Sequence, residues 1–168
     1  PRIAFINKLD RTGANPYKVK DQLVEKLGHN AVLMQVPIGL EADHKGVVDL
    51  VAGKACLFDE GKGTYKTADI PADLASQAEK LRGTMVEDIA ETDEALMDKY
   101  LESGELSDEE LQRGLRKGVL SGAVIPAVCT SALKNIGSAL LMDWIVRLFP
   151  SPVDRGAIRG TRPGTDEA

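Results

Sequence analysis

The sequence predicts an α/β protein: parallel strands with helices, interrupted by an α+β insert. Three observations predict it. Short, mostly apolar runs, which suit strands covered on both faces, occur at residues 3–6, 31–38 and 124–129. A segment of helical periodicity follows the first and the third run. Between residues 39 and 122 the texture changes, first to β-rich stretches broken by glycine and then to acidic amphipathic helices. The division that follows assigns residues 1–38 and 123–152 to the main sheet, 39–122 to the insert and 153–168 to a linker or tail.

Each element has its own signal. Thr12-Gly13 reads as a turn, and Asn15-Pro16 as a helix start, with Asn as cap and Pro in the first turn. Val19, Leu23, Val24 and Leu27 stripe a helix over residues 16–27, closed by Gly28. Residues 31–38, apolar apart from Gln35, read as one strand. Residues 46–51, 54–58 and 64–67 read as an antiparallel meander, with the glycine-rich stretch 59–63 as a turn. From Pro71, Leu74, Ala78, Leu81, Met85 and Ile89 fall on one helical stripe, and the pattern bends or restarts at Thr92-Asp93, either residue serving as cap. Ser107-Asp108-Glu109-Glu110 is a capping box before Leu111, Leu115 and Val119, in a helix to about residue 120. In the last apolar run Pro126 argues against a fully paired central strand. Gly137 opens the last helix, with Leu141, Trp144, Ile145 and Leu148 as its core face, and Pro150 and Pro152 stop it.

The chemistry concentrates where two of the apolar runs end. The first stops at Asn7-Lys8-Leu9-Asp10, and polar groups just past the carboxyl end of a parallel strand sit where open α/β sheets bind ligands. A carboxylate only accepts, so Asp10 can take hydrogen bonds from the ring N–H and exocyclic amine of guanine, a pair adenine lacks. Lys8 can lay its methylene stem along the base plane, and Asn7 can tie neighbouring loops together. Alone, the tetrad reads equally as a strand running into a polar turn. The last run, however, ends in a second cluster, Thr130-Ser131-Ala132-Leu133-Lys134-Asn135, whose Ser131-Ala132-Leu133 backbone can offer an N–H to the guanine keto oxygen. Two such half-sites on one sheet are hard to obtain by chance.

Composition bounds the alternatives. Hydrophobic content of 43% with 28% charged residues is ordinary for a soluble globular protein, and 168 residues can bury a real core. Aromatic residues at 4% argue against a base-stacking surface for single strands, and no apolar stretch is long enough to span a membrane, so a cytoplasmic protein is expected. Pro1 in place of an initiator Met, just before a core strand, suggests a sequence that begins inside a larger protein. Cys56 and Cys129 sit in apolar segments without metal-ligand spacing and read as core thiols, while His29 and His44 read as surface residues. Within the net charge of −5, residues 69–110 carry fourteen acids against three bases, net −11. Such a block disfavours phosphate backbones, and with them sequence-specific DNA binding, and either meets a basic protein partner or merely solvates a helical face.

Residues 1–154 resemble the second half of the GTP-binding domain of bacterial elongation factor G, the ribosomal translocase. The resemblance is carried by Asn7-Lys8-Leu9-Asp10-Arg11-Thr12-Gly13-Ala14, by Cys129-Thr130-Ser131-Ala132-Leu133-Lys134-Asn135 and by Leu148-Phe149-Pro150-Ser151-Pro152-Val153-Asp154. The insert resembles that family too, in Gly46-Val47-Val48-Asp49-Leu50, Asp69-Ile70-Pro71-Ala72 and the acidic helix. Departures are Leu9 where Met is frequent, Thr130 where Gly is frequent and Leu133 where Phe is frequent. The resemblance implies a partial P-loop GTPase sheet with GTP or GDP held at the base by Asn7, Lys8, Asp10, Ser131, Ala132 and Leu133, and Mg2+ in the full-length parent. It implies the ribosome as partner, with the stalk protein meeting the insert at Glu87, Asp88, Glu91 and Glu94. The sequence holds no G-x-x-x-x-G-K-[ST] loop and no segment serving metal and γ-phosphate, so hydrolysis is expected of the parent and not of this stretch. A ribosomal-protection or release-type GTPase, an acidic interaction module and an unrelated α/β enzyme are the alternatives. No nucleophile-base pair or dinucleotide-type glycine turn supports the last.

Overall fold

A computed structural model describes residues 1–59, 61–157 and Gly160. Its two sheets share one chain crossing. The first is parallel, in the order β1 (Ala4–Ile6), β7 (Ile125–Cys129), β2 (Ala31–Leu33), with Phe5 opposite Val128 and Val32 opposite Pro126. The second is antiparallel, β3 (Gln35–Ile38), β4 (Gly46–Asp49), β5 (Lys54–Phe58) and β6 (Tyr65–Ala68) in sequence order.

The apolar run at residues 31–38 is therefore two strands in two sheets, where one was expected. Met34 is the crossing point: its N–H donates to Ala127 O (3.0 Å) in the parallel sheet and its carbonyl accepts from Leu50 N (3.0 Å) beside the antiparallel one. Beyond it the chain has left β7, and the Gln35 side chain supplies the missing acceptor, Oε1 taking the Cys129 N–H at 2.9 Å. The lone polar residue of the run marks the place where backbone pairing ends. Periodicity cannot show this, because both halves are buried on all sides.

β7 is central despite Pro126. The hydrogen bonds of Ile125 N to Asn30 O and of Met34 N to Ala127 O put odd-numbered β7 residues on the β2 side, so the missing N–H of Pro126 faces β1. The β1 ladder starts only at Ala127, so the proline removes no bond.

The helices follow their signals closely. α1 (Pro16–Leu27) is capped by Asn15, whose Oδ1 accepts from Lys18 N at 3.0 Å, and ends on Gly28 at φ 63. α2 (Ala72–Ala90) stops before Thr92, and α3 (Glu94–Ser103) restarts with Asp93 as its cap. α4 (Asp108–Ser121) carries the Ser107–Glu110 capping box, and α5 (Ser138–Leu148) follows Gly137. A short helix, α6 (Pro152–Arg155), with its own Ser151–Asp154 capping box, opens the stretch expected to be linker or tail. Most of the remainder of that stretch, residues 158, 159 and 161–168, lies outside the described residues.

α2 packs on α3, α4 and β2, and α4 on α5 and β7, so the insert helices and the parallel sheet share one core. Ala78, Met85, Ile89, Leu96, Leu111, Leu115 and Val119 are buried in it. The α1 stripe differs, since Val19, Val24 and Leu27 are exposed and only Leu23 is half-buried. Both cysteines are buried and free, and burial pushes the Cys56 thiol up to about 11 and Cys129 up to about 12, as inert core thiols require. His44 corrects the expectation of a surface residue: it is only 2% exposed. Among the described residues no helix is long and apolar enough to cross a membrane.

Candidate functional site

β1 and β7 run side by side in the same direction, so the loops after them emerge at one end of the sheet. The two polar clusters meet there. Asn7 Oδ1 accepts from Lys8 N (2.7 Å) within its own loop and from Ala132 N (3.0 Å) in the other. The Ser131 hydroxyl donates to Asp10 Oδ1 at 2.6 Å, and Ser131 Oγ accepts from Lys134 N at 3.2 Å. Backbone bonds reinforce the join: Thr130 N donates to Ile6 O (3.0 Å) and Leu9 N to Thr130 O (3.2 Å).

Local conformation explains why the side chains sit so. Lys8 adopts φ 66, a left-handed conformation costly for a side-chain-bearing residue, and its N–H is capped by the preceding Asn side chain. Leu9, the free position of the tetrad, is 1% exposed and anchors the loop in the core. In the second loop Gly137 has φ 82, and a Cβ there would lie 2.6 Å from Cys129 O and 2.9 Å from Thr130 Cγ2. Glycine at 137 is what lets the chain turn back under a residue as large as Thr130, which is fully buried with its hydroxyl donating to Ile6 O at 3.2 Å.

Asn7, Lys8, Asp10, Arg11 and Leu133 line one open cleft of about 500 Å³. Asp10 is half-buried, and the hydrogen bond from Ser131 holds its carboxyl below the usual aspartate range, so it is an acceptor throughout neutral pH. Ser131 engages Oδ1 and the backbone N–H of Asp10 itself also bonds the carboxyl, while no other residue among the described ones donates to it. A carboxylate acceptor so placed fits the N–H and amine edge of guanine. Of the three backbone N–H groups in the second loop, Ser131 N bonds Ile136 O (3.0 Å) and Ala132 N bonds Asn7, which leaves Leu133 N without an acceptor among the described residues. Leu133 itself is 87% exposed at the cleft edge.

The six expected residues lie on the two joined loops, four of them lining the cleft, while Ser131 is buried beneath Asp10 and Ala132 is held by its N–H to Asn7, neither lining it. Missed from the sequence are Leu9, Thr130, Gly137 and above all Glu41, whose carboxylate accepts from Gly13 N at 2.7 Å. Nothing in the spacing of Glu41, 28 residues downstream, links it to this loop. Among the described residues no group of three or more His, Cys, Asp and Glu is placed to hold a metal.

A parallel sheet with its polar loops at the carboxyl ends, backed by helices and joined to an antiparallel sheet, is a GTPase-type α/β domain. Comparison with known proteins makes this specific. The chain belongs to the Elongation factor Tu GTP binding domain family, which it matches over residues 1–151, and guanine nucleotide is the ligand that this family implies. A crystal structure of a protein from Thermus thermophilus is similar to it at 30% sequence identity and a TM-score of 0.80, over 92% of this chain and 23% of that one. The chain therefore spans about a quarter of that protein's length.

Proposed function

We propose that this chain is the guanine-recognition half of a translational GTPase of the elongation factor G type. The observation that carries the proposal is the bridging of Asp10 to Ser131 and of Asn7 to Ala132 across the two strand ends, in a chain of the elongation-factor GTP-binding family. In this reading Asp10 takes the two donors of guanine, and Ser131 orients it. Asn7 locks the two loops together and leaves the Leu133 N–H for the keto oxygen, while Lys8 lies along the base. Phosphate and Mg2+ are held by parts of the parent outside this stretch, where hydrolysis takes place. The parent then acts on the ribosome, and the sequence resemblance supports translocation over the release or protection roles.

The insert is proposed to meet the ribosomal stalk through a narrower face than the sequence suggests. Glu87, Glu91 and Glu94 are exposed, but Asp88 is half-buried in a groove between α1 and α2 lined also by Tyr17, Lys20 and Met85, and burial raises its pKa. Three acids and not four are free to face a basic partner.

The test is base selectivity in a protein that joins this chain to a phosphate-binding half. Asp10→Asn is expected to weaken GDP binding roughly a hundredfold and to favour xanthosine diphosphate, because an amide donates to the extra oxygen that a carboxylate repels. Unchanged GDP affinity removes Asp10 from the site.

A further inference from the structure

The structure assigns a positioning role to residues 39–45, the entrance to the insert: they hold the Asp10 turn in place through Glu41. Its consequence for nucleotide rests on the guanine reading above, while the positioning itself does not.

Glu41 grips the turn on both sides of Asp10. Its backbone N–H donates to Leu9 O at 2.8 Å, and its Oε1 accepts from Gly13 N at 2.7 Å. Inside that staple the turn closes with Arg11 N to Lys8 O at 3.0 Å. Asp10 therefore sits on a loop whose two ends are bonded to one residue. The second loop is tied to the same segment, since Lys134 Nζ donates to Ala42 O at 3.0 Å. Both half-sites thus hang on residues 41 and 42, which belong to neither β1 nor β7.

The segment is built to be rigid. Glu41 has φ 58, a conformation that persists for a side-chain-bearing residue only where its surroundings over-determine it. Gly39 at φ 72 passes so close to the Asp43 carbonyl that a Cβ would collide with it. His44, buried, bonds the Gly39 carbonyl through Nδ1 at 3.1 Å, and Lys45 N returns to Ile38 O at 3.1 Å. A carboxylate that accepts from a backbone N–H makes a strong, directional bond, and a base site tolerates little misplacement of its acceptor. Neither bond is needed to complete a strand or a helix. Their effect is to fix where Asp10 stands relative to Ser131.

Amide exchange on the 15N-labelled chain, and nucleotide titration on that chain joined to a phosphate-binding half, test this, with Glu41→Ala and Glu41→Gln. The expected result for Glu41→Ala is exchange at least about tenfold faster for residues 9–13, with shifts displaced in residues 131–134, while Val128 and Trp144 stay protected. Glu41→Gln should restore most of the protection, because its amide oxygen still accepts from Gly13. In the second arm GDP is titrated into the joined protein with ADP as control, and Glu41→Ala should weaken GDP about fivefold or more, with rescue by Gln. Unchanged exchange at residues 9–13 in Glu41→Ala overturns the proposal. So does a loss of protection that spreads equally to Val128 and Trp144 and is not rescued by Gln, since Glu41 would then support the whole core. Absence of guanine-selective binding by the unsubstituted joined protein overturns the guanine reading instead, and the exchange arm still decides the positioning role.

Discussion

The insert helices and α1 were equally legible as amphipathic, yet they meet different fates. On α2 and α4 the stripe is largely buried, with Met85, Ile89 and Leu115 at most 1% exposed, whereas α3 buries Leu96 and leaves Leu101 open. On α1 the stripe is open, with Leu27 60% exposed, and Met142 and Val146 of α5 lie open in the same way. Among the described residues β1 pairs with β7 alone, and Phe5 on it is 41% exposed. The insert holds its partners within this chain, whereas the sheet side shows apolar faces for which the described residues provide no cover. The lesson is that a periodic apolar stripe states that a face is suited to burial and leaves open what buries it.

Stability measurements give the sharpest contrast. Ile89→Ala, in the shared core, should cost about 2–5 kcal/mol by chemical denaturation, enough to unfold much of the population. A loss below about 1 kcal/mol would show that the insert core is looser than its burial implies. Next in size is the pH response of the site's brace. Burial lowers the pKa of His44, so below its ordinary value near 6.5 the unfolded chain binds a proton that the folded chain resists. Stability is then present above that pH and lost as the pH falls through and below it. His44→Phe should flatten this slope between about pH 7.5 and 5.5, whatever it does to stability at neutral pH, and an unaltered slope assigns the effect to other groups. Smaller still, Glu87→Lys with Glu91→Lys should slow association with a ribosomal stalk domain several-fold at low salt and little at high salt, as a charge-steered contact requires. No binding at either salt leaves the acidic face as a solvated surface. The smallest effect is expected on the open side, where Leu27→Ser should change the stability of this chain by no more than about 0.5 kcal/mol. A large loss there would mean that the α1 stripe is covered after all.

Local signals decided most of the elements. Asn15-Pro16, Gly28, Asp93 and the Ser107–Glu110 box act on backbone groups within a turn of themselves, so caps and ends needed no tertiary partner to be read. The two polar clusters that hold the six candidate residues were legible because each is a short contiguous stretch at the end of an apolar run. The split at Met34 was not, because a run buried on every side has no polar alternation to reveal which sheet each half joins. His44 was misread for the opposite reason: its neighbours Asp43 and Lys45 are exposed, and only the fold tucks the ring inward against Gly39.

By itself, then, the sequence determined most of the elements, their order, the two polar clusters and the chemistry that a carboxylate, an amide and a hydroxyl can offer, since all of these depend on residues close together in the chain. The tertiary structure decided the rest. It placed Pro126 where the missing N–H costs no bond, turned Asp88 into a groove, and set Glu41 against Gly13. Each depends on a partner brought near by folding alone, and neither local propensity nor periodicity carries information about which distant residue that partner is.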